Sequence, residues 1–100
     1  MATFSCKQES ADTLVLSGDL VFATSENARQ VTNACLDALK GNAVVDFSGI
    51  NRVDSSALAY WLSCLRVAEQ SNAVLEARNF PDEMVQMAEL VGISATRIWK

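Results

Sequence analysis

A short apolar run, Ala43-Val44-Val45-Asp46-Phe47, lies between two segments of helical period. A run this short, bounded by turn residues and rich in valine, reads as a buried central strand rather than a helix. A buried strand with a helical segment on each side places the chain in the α/β class.

The rest of the pattern fills in around it. Thr3 to Gln8 alternates, with Phe4 and Cys6 on one face, and predicts a first strand. Ser10-Ala11-Asp12 turns the chain into a second strand, Thr13 to Ser17, closed by Gly18-Asp19. A connection so short makes the pair an antiparallel hairpin. From Thr24 or Ser25 to Lys40 the period becomes helical, with Ala28, Val31, Cys35 and Leu39 inward, Ser25 as N-cap and Gly41-Asn42 as the stop. After the central strand, Ser48-Gly49 predicts a turn, and Ile50 to Val53 leads to Asp54-Ser55-Ser56 at the head of a helix running to Ser71. Leu58, Leu62, Leu65 and Ala68 form its expected inward stripe. Ala73 to Ala77 predicts a fourth strand. Pro81 with Asp82 and Glu83 opens a last helix, whose stripe is Met84, Met87, Ala88 and Val91 and whose stop is Gly92. The tail, Ile93 to Lys100, holds Ile98 and Trp99 and reads as a final short helix or strand. The predicted order is β-β-α-β-α-β-α, with a mixed sheet of four to five strands.

Composition limits function. One proline and no linker or repeat make residues 1–100 a single domain, large enough to bury roughly 65% of its unfolded surface without a staple. The chain has no histidine, which excludes a Ser-His-Asp triad, a Cys-His pair and a histidine-ligated zinc. Lysine, aspartate and tyrosine remain as acids or bases, but a stand-alone enzyme is not expected. A net charge of −4 with scattered basic residues disfavours nucleic acid and direct contact with anionic membranes. Cys6, Cys35 and Cys64 have neither zinc nor disulfide spacing and suit buried thiols in a reducing cytoplasm, with Cys64 the one candidate for exposure. No signal peptide or membrane-spanning segment is expected. Asp46 and Asp54 lack the further ligands that a magnesium site needs, so no metal or cofactor is expected.

The stretch from Val44 to Ala59 carries the chemistry. It places Asp54, Ser55 and Ser56 at a positive helix terminus, where two readings stand side by side: a helix cap, or a site where phosphate on Ser55 would meet free backbone N–H groups. On the same helix, Tyr60, Trp61, Cys64 and Val67 rotate away from the leucine stripe. They are either interface anchors or covered by the last helix or the tail.

These motifs resemble the STAS family, the domain shared by sulfate transporters and anti-sigma-factor antagonists. Asp46 fits its strand-end aspartate, Asp54-Ser55-Ser56-x-Leu58-Ala59 its helix-start motif, Ser17-Gly18-Asp19-Leu20 its step after the hairpin, and Met87-Ala88-x-x-Val91-Gly92-Ile93 its last helix and closing glycine. The resemblance implies a STAS-like fold and places Ser55 where the antagonists are phosphorylated by a partner kinase, with Asp54 before it. Ala57 stands where glycine is usual and Val21 where an aspartate often follows. The compact length and the Asp-x-x-x-Leu-Ala ending look most like the MlaB-type branch. That likeness implies a non-enzymatic cytoplasmic subunit, peripheral to the inner membrane through its partner. It would bind the ATPase of a phospholipid-transporting ABC complex, and through it the permease. The implied docking residues are Ser55, Ser56, Ala59, Tyr60, Trp61 and Cys64, with Asp46 and Asp54 as supporting acids. The alternative is an anti-sigma-factor antagonist with Ser55 as phosphoacceptor and a serine kinase as partner.

Overall fold

A computed structural model describes residues 2–39 and 42–90. The elements run β1 (Phe4–Gln8), β2 (Thr13–Leu20), α1 (Ser25–Leu39), β3 (Ala43–Val53), α2 (Ser55–Gln70), β4 (Leu75–Arg78) and α3 (Asp82–Leu90), with one 3₁₀ turn, Phe22–Thr24, before α1. The four strands form one sheet in the order β1-β2-β3-β4. β1 and β2 are the expected antiparallel hairpin, and β2, β3 and β4 are mutually parallel neighbours.

Register sorts the side chains onto two faces. Cys6 opposes Leu16, Leu14 lies beside Val45, and Ala43 beside Leu75, so these residues share one face with Phe4 and Phe47. That face is apolar and carries the core, packed under all three helices. The other face carries Lys7, Val15, Val44, Glu76 and Arg78, which are half-buried or exposed. Within the run read as a buried central strand, Ala43, Val45, Asp46 and Phe47 are buried and Val44 is half-buried, as expected, and among the described residues the helices cover its apolar face.

β3 is longer than expected. Ser48-Gly49 does not turn the chain; the strand runs on to Val53, and its register against β2 shifts between Val15 and Ser17 and again between Gly18 and Asp19. A bulge absorbs the two residues that read as a turn. Glycine is required there, because a Cβ on Gly49 would lie 2.6 Å from the Leu16 carbonyl oxygen. Gly18 has a positive φ of 97°, which a side chain would strain. Asp46 consequently lies within the strand rather than at its end.

Ser25 is not the cap of α1. It sits in helical backbone, and its hydroxyl donates to the Phe22 carbonyl at 3.0 Å. The preceding turn is held by Thr24, whose Oγ1 accepts from the Val21 N–H at 3.1 Å and donates to the Asp19 carbonyl at 2.8 Å. Asn42 follows α1 as expected, and its Oδ1 accepts from the Val74 N–H, tying the loop to the start of β4. Val91, Gly92 and the tail with Ile98 and Trp99 lie outside the described residues, as do Lys40 and Gly41.

The inward face of α2 differs from the leucine stripe. Ala57, Tyr60, Trp61, Cys64 and Ala68 point into the core, Leu58 joins them at the edge, and Leu62 and Leu65 pack on its flanks. Trp61 is fully buried against Phe47, ring centroids 5.2 Å apart and nearly perpendicular, with Phe80 closing the cluster. Tyr60 meets Phe4 edge-on, and its hydroxyl hydrogen-bonds buried Thr32 of α1 at 2.6 Å. Met84 and Ala88 of α3 complete the core as expected. Among the described residues, no buried side-chain nitrogen or oxygen lacks a hydrogen-bond partner.

Candidate functional site

The start of α2 is built by one carboxylate. Asp54 has extended backbone, and its Oδ1 accepts from the Ser56 N–H at 2.8 Å, the N-cap bond expected of Asp-Ser-Ser. Its Oδ2 accepts from the Phe22 N–H at 3.0 Å, 32 residues away. Asp54 therefore caps α2 and also clips the turn before α1 to the head of α2. Burial pushes its carboxyl up, but the two backbone N–H groups outweigh that and hold its pKa below the usual carboxylate value.

Ser55 is exposed on the first turn of α2, Ser56 is half-buried and Ala59 is exposed. Beside them, Phe22 is 81% exposed, a large ring standing in solvent at the end of the clipped turn. Phe22, Ser25, Arg29, Ser56, Ala59 and Tyr60 line a shallow groove of about 210 Å³ between α1 and α2. The expected docking set is thus divided. Ser55, Ser56 and Ala59 share a surface, whereas Tyr60, Trp61 and Cys64 are each no more than 1% exposed and belong to the core, Tyr60 reaching the groove only as part of its floor. This corrects their assignment as surface anchors. The aromatic rings of β1, β3 and the β4–α3 connection claim that side of the helix.

Asp46 does not join the site. Its Oδ1 accepts from the Ser48 N–H at 2.8 Å and from the Asn79 side chain at 3.0 Å, on the polar side of the sheet. Burial raises its pKa, but those bonds, with Arg78 nearby, outweigh that, for a net downward shift. Asp46 and Asp54 share no partner, so they form no carboxylate pair. Among the described residues, no group of three acidic or cysteine side chains could hold a metal.

The cysteines are likewise set apart from chemistry. Cys64, the one candidate for exposure, is buried, and burial pushes its thiol up to about 12. Cys6 is half-buried and also pushed up to about 12, by burial and then by contact with Cys35. Thiols held protonated in this way are poor nucleophiles. On the surface, Arg52 pairs with Asp19 at 3.3 Å across β2 and β3.

Phe22, Ser25 and Arg29 were not legible as site residues. The only signal was a phenylalanine placed in a connection, between Val21 and the Ala-Thr-Ser that opens α1.

Three comparisons bear on this architecture. The family profile "Mlab, STAS domain" matches residues 5–98. Among solved structures, the anti-sigma factor antagonist SpoIIAA in its unphosphorylated form is 19% identical with a TM-score of 0.65, covering 88% of this chain and 83% of that one. The phosphorylated form of the Bacillus cell fate determinant SpoIIAA is 18% identical with a TM-score of 0.69, covering 98% and 89%. The murine Solute Carrier 26 family member A9 anion transporter is 17% identical with a TM-score of 0.67, over 92% of this chain and 18% of the transporter. No curated protein matches. At these identities the structural likenesses establish a common fold, and the profile establishes the family. The chain belongs to the MlaB-type STAS domain family.

Proposed function

We propose that this chain is a non-enzymatic cytoplasmic subunit that binds the ATPase of a phospholipid-transporting ABC complex and supports its assembly or activity. The observation that carries this reading is the head of α2. A rigidly capped helix start displays Ser55 and Ala59 to solvent while the rest of its apolar face is consumed by the core. A surface built this way offers hydrogen-bonding hydroxyls and close backbone approach without needing an acid or base. The domain would act by docking, shifting the assembly or active state of its partner. Membership of the MlaB-type family supports the choice of partner. The test is co-purification with the ATPase subunit from the same genome. Wild type is expected to form a stoichiometric complex and Ser55→Arg none, with both chains folded. Equal recovery of the two would sink the reading.

A second reading, a phospho-regulated anti-sigma-factor antagonist with Ser55 as acceptor, is favoured by the exposure of that hydroxyl and by the fold shared with phosphorylated SpoIIAA. Against it, the Asp54 carboxylate already takes the Ser56 and Phe22 N–H groups and places a negative charge beside any phosphate. Intact mass of the protein from its native host decides: a stoichiometric phosphate on Ser55 supports switching, and its absence under all growth conditions removes it.

A further inference from the structure

Resting on the ATPase-binding reading, we infer that the docking surface is composite. Phe22 is its apolar anchor, Arg29 its charged contact, and Asp54 the positioning residue that joins the two halves. The occupant is a segment of the ATPase that presents an apolar side chain beside a carboxylate.

Three observations carry this. First, Phe22 is a large apolar side chain at 81% exposure whose backbone is fixed on both sides: its N–H donates to Asp54 Oδ2, and its carbonyl accepts from the Ser25 hydroxyl. An exposed ring on a pinned backbone loses little freedom when a partner covers it, which is what an interface anchor requires. Second, the groove beside it is lined by neutral groups and one charge. Arg29 is exposed on α1 and has no ion-pair partner among the described residues, in a chain whose net charge is −4. A partner carboxylate would complement that isolated cation, whereas a lysine or arginine would be repelled. Third, the groove is continuous with the exposed start of α2, because Ser56 and Ala59 form its far wall. One partner segment would therefore touch both the turn before α1 and the head of α2.

Asp54 acts through Phe22 rather than by contact. Replacing it with Asn separates its two duties. An Asn oxygen still caps Ser56, but its amide nitrogen is a donor and cannot accept the Phe22 N–H. The cap survives and the clip is lost.

The experiment is a titration of the purified ATPase subunit with wild type, Ser55→Arg, Phe22→Ala, Arg29→Glu and Asp54→Asn, with circular dichroism and thermal unfolding on each chain. Phe22→Ala is expected to raise Kd roughly 30-fold, the loss typical of a buried aromatic anchor. Arg29→Glu should raise it about 10-fold, as for a charge pair turned into a repulsion. Reversing one interfacial carboxylate of the ATPase to lysine should recover most of that loss. Asp54→Asn should weaken binding about 5-fold with helix content unchanged, since Asp and Asn cap equally well. If Ser55→Arg abolishes binding while Phe22→Ala and Arg29→Glu bind as wild type, the composite surface is wrong and the ATPase-binding reading stands. If wild type does not bind, both fall. If Phe22→Ala instead dissolves a dimer of this chain seen by light scattering and leaves ATPase binding unchanged, the occupant is a second copy and the inference is overturned.

Discussion

Ala59 and Tyr60 are neighbours in sequence, yet the first is exposed and the second is 1% exposed. The contrast extends along α2. Its core-facing side carries Ala57, Tyr60, Trp61 and Cys64 against the aromatic rings of the sheet, and its N-terminal outer side carries Ser55 and Ala59 beside Phe22. Large aromatic side chains are absorbed where they can meet other rings edge-on, and the surface left for a partner is made of small residues plus one phenylalanine from a different element. Size and aromaticity alone therefore do not locate an interface; what lies opposite does.

Substitutions on the two sides should behave in opposite ways. The largest effect is expected on the core side: Trp61→Ala should cost about 3–5 kcal/mol, the usual loss for a fully buried large aromatic, measured by urea unfolding. A change of less than 1 kcal/mol would mean that Trp61 is not core, and any loss of partner binding in that variant should follow its unfolded fraction. Next, Gly49→Ala should cost roughly 1–3 kcal/mol, because its Cβ would press on the Leu16 carbonyl from 2.6 Å. Unchanged stability would show that the bulge relaxes freely. Thr32→Val strands the buried Tyr60 hydroxyl and should cost about 1–2 kcal/mol, most of it regained when Tyr60→Phe is added. Simple additivity of the two would deny the coupling. Acid unfolding gives a smaller effect. The pKa values of Asp46 and Asp54 are depressed in the fold, so their stabilisation is complete above about pH 4 and is lost as pH falls through the folded values. Asp46→Asn should therefore be less stable than wild type at neutral pH and approach it in acid; a constant gap would contradict the depression. Smallest of all, Ser55→Arg and Phe22→Ala should each change stability by less than about 0.5 kcal/mol, as at other exposed sites, while affecting partner binding most.

Much of the fold could be read from the chain, and the exceptions have physical causes. The hairpin, the helix starting at Asp54-Ser55-Ser56 and the element order follow from period and capping, which are local. The bulge at Ser48-Gly49 escaped because Ser-Gly is a turn signal unless a neighbouring strand supplies the register, and that neighbour, β2, is distant in sequence. The inward face of α2 escaped because apolar residues surround most of its circumference. Among the described residues, the rings of Phe4, Phe47 and Phe80, from other elements, meet the aromatic side rather than the leucine side. Of the site, Ser55, Ser56 and Asp54 were legible through the cap motif. Phe22 and Arg29 were not, since the turn before α1 meets the head of α2 through contacts distant in sequence, the Leu20–Val53 strand pairing and the Asp54–Phe22 bond among them.

In the proposed complex the head of α2 docks on an ABC ATPase while its aromatic face serves the core. Isothermal titration of the purified ATPase subunit with wild type and Ser55→Arg, after both are shown to unfold at the same urea midpoint, tests it most directly. The proposed docking predicts a stoichiometric complex with wild type and no measurable binding with Ser55→Arg. Equal affinity for the two, or no heat with either, would contradict it.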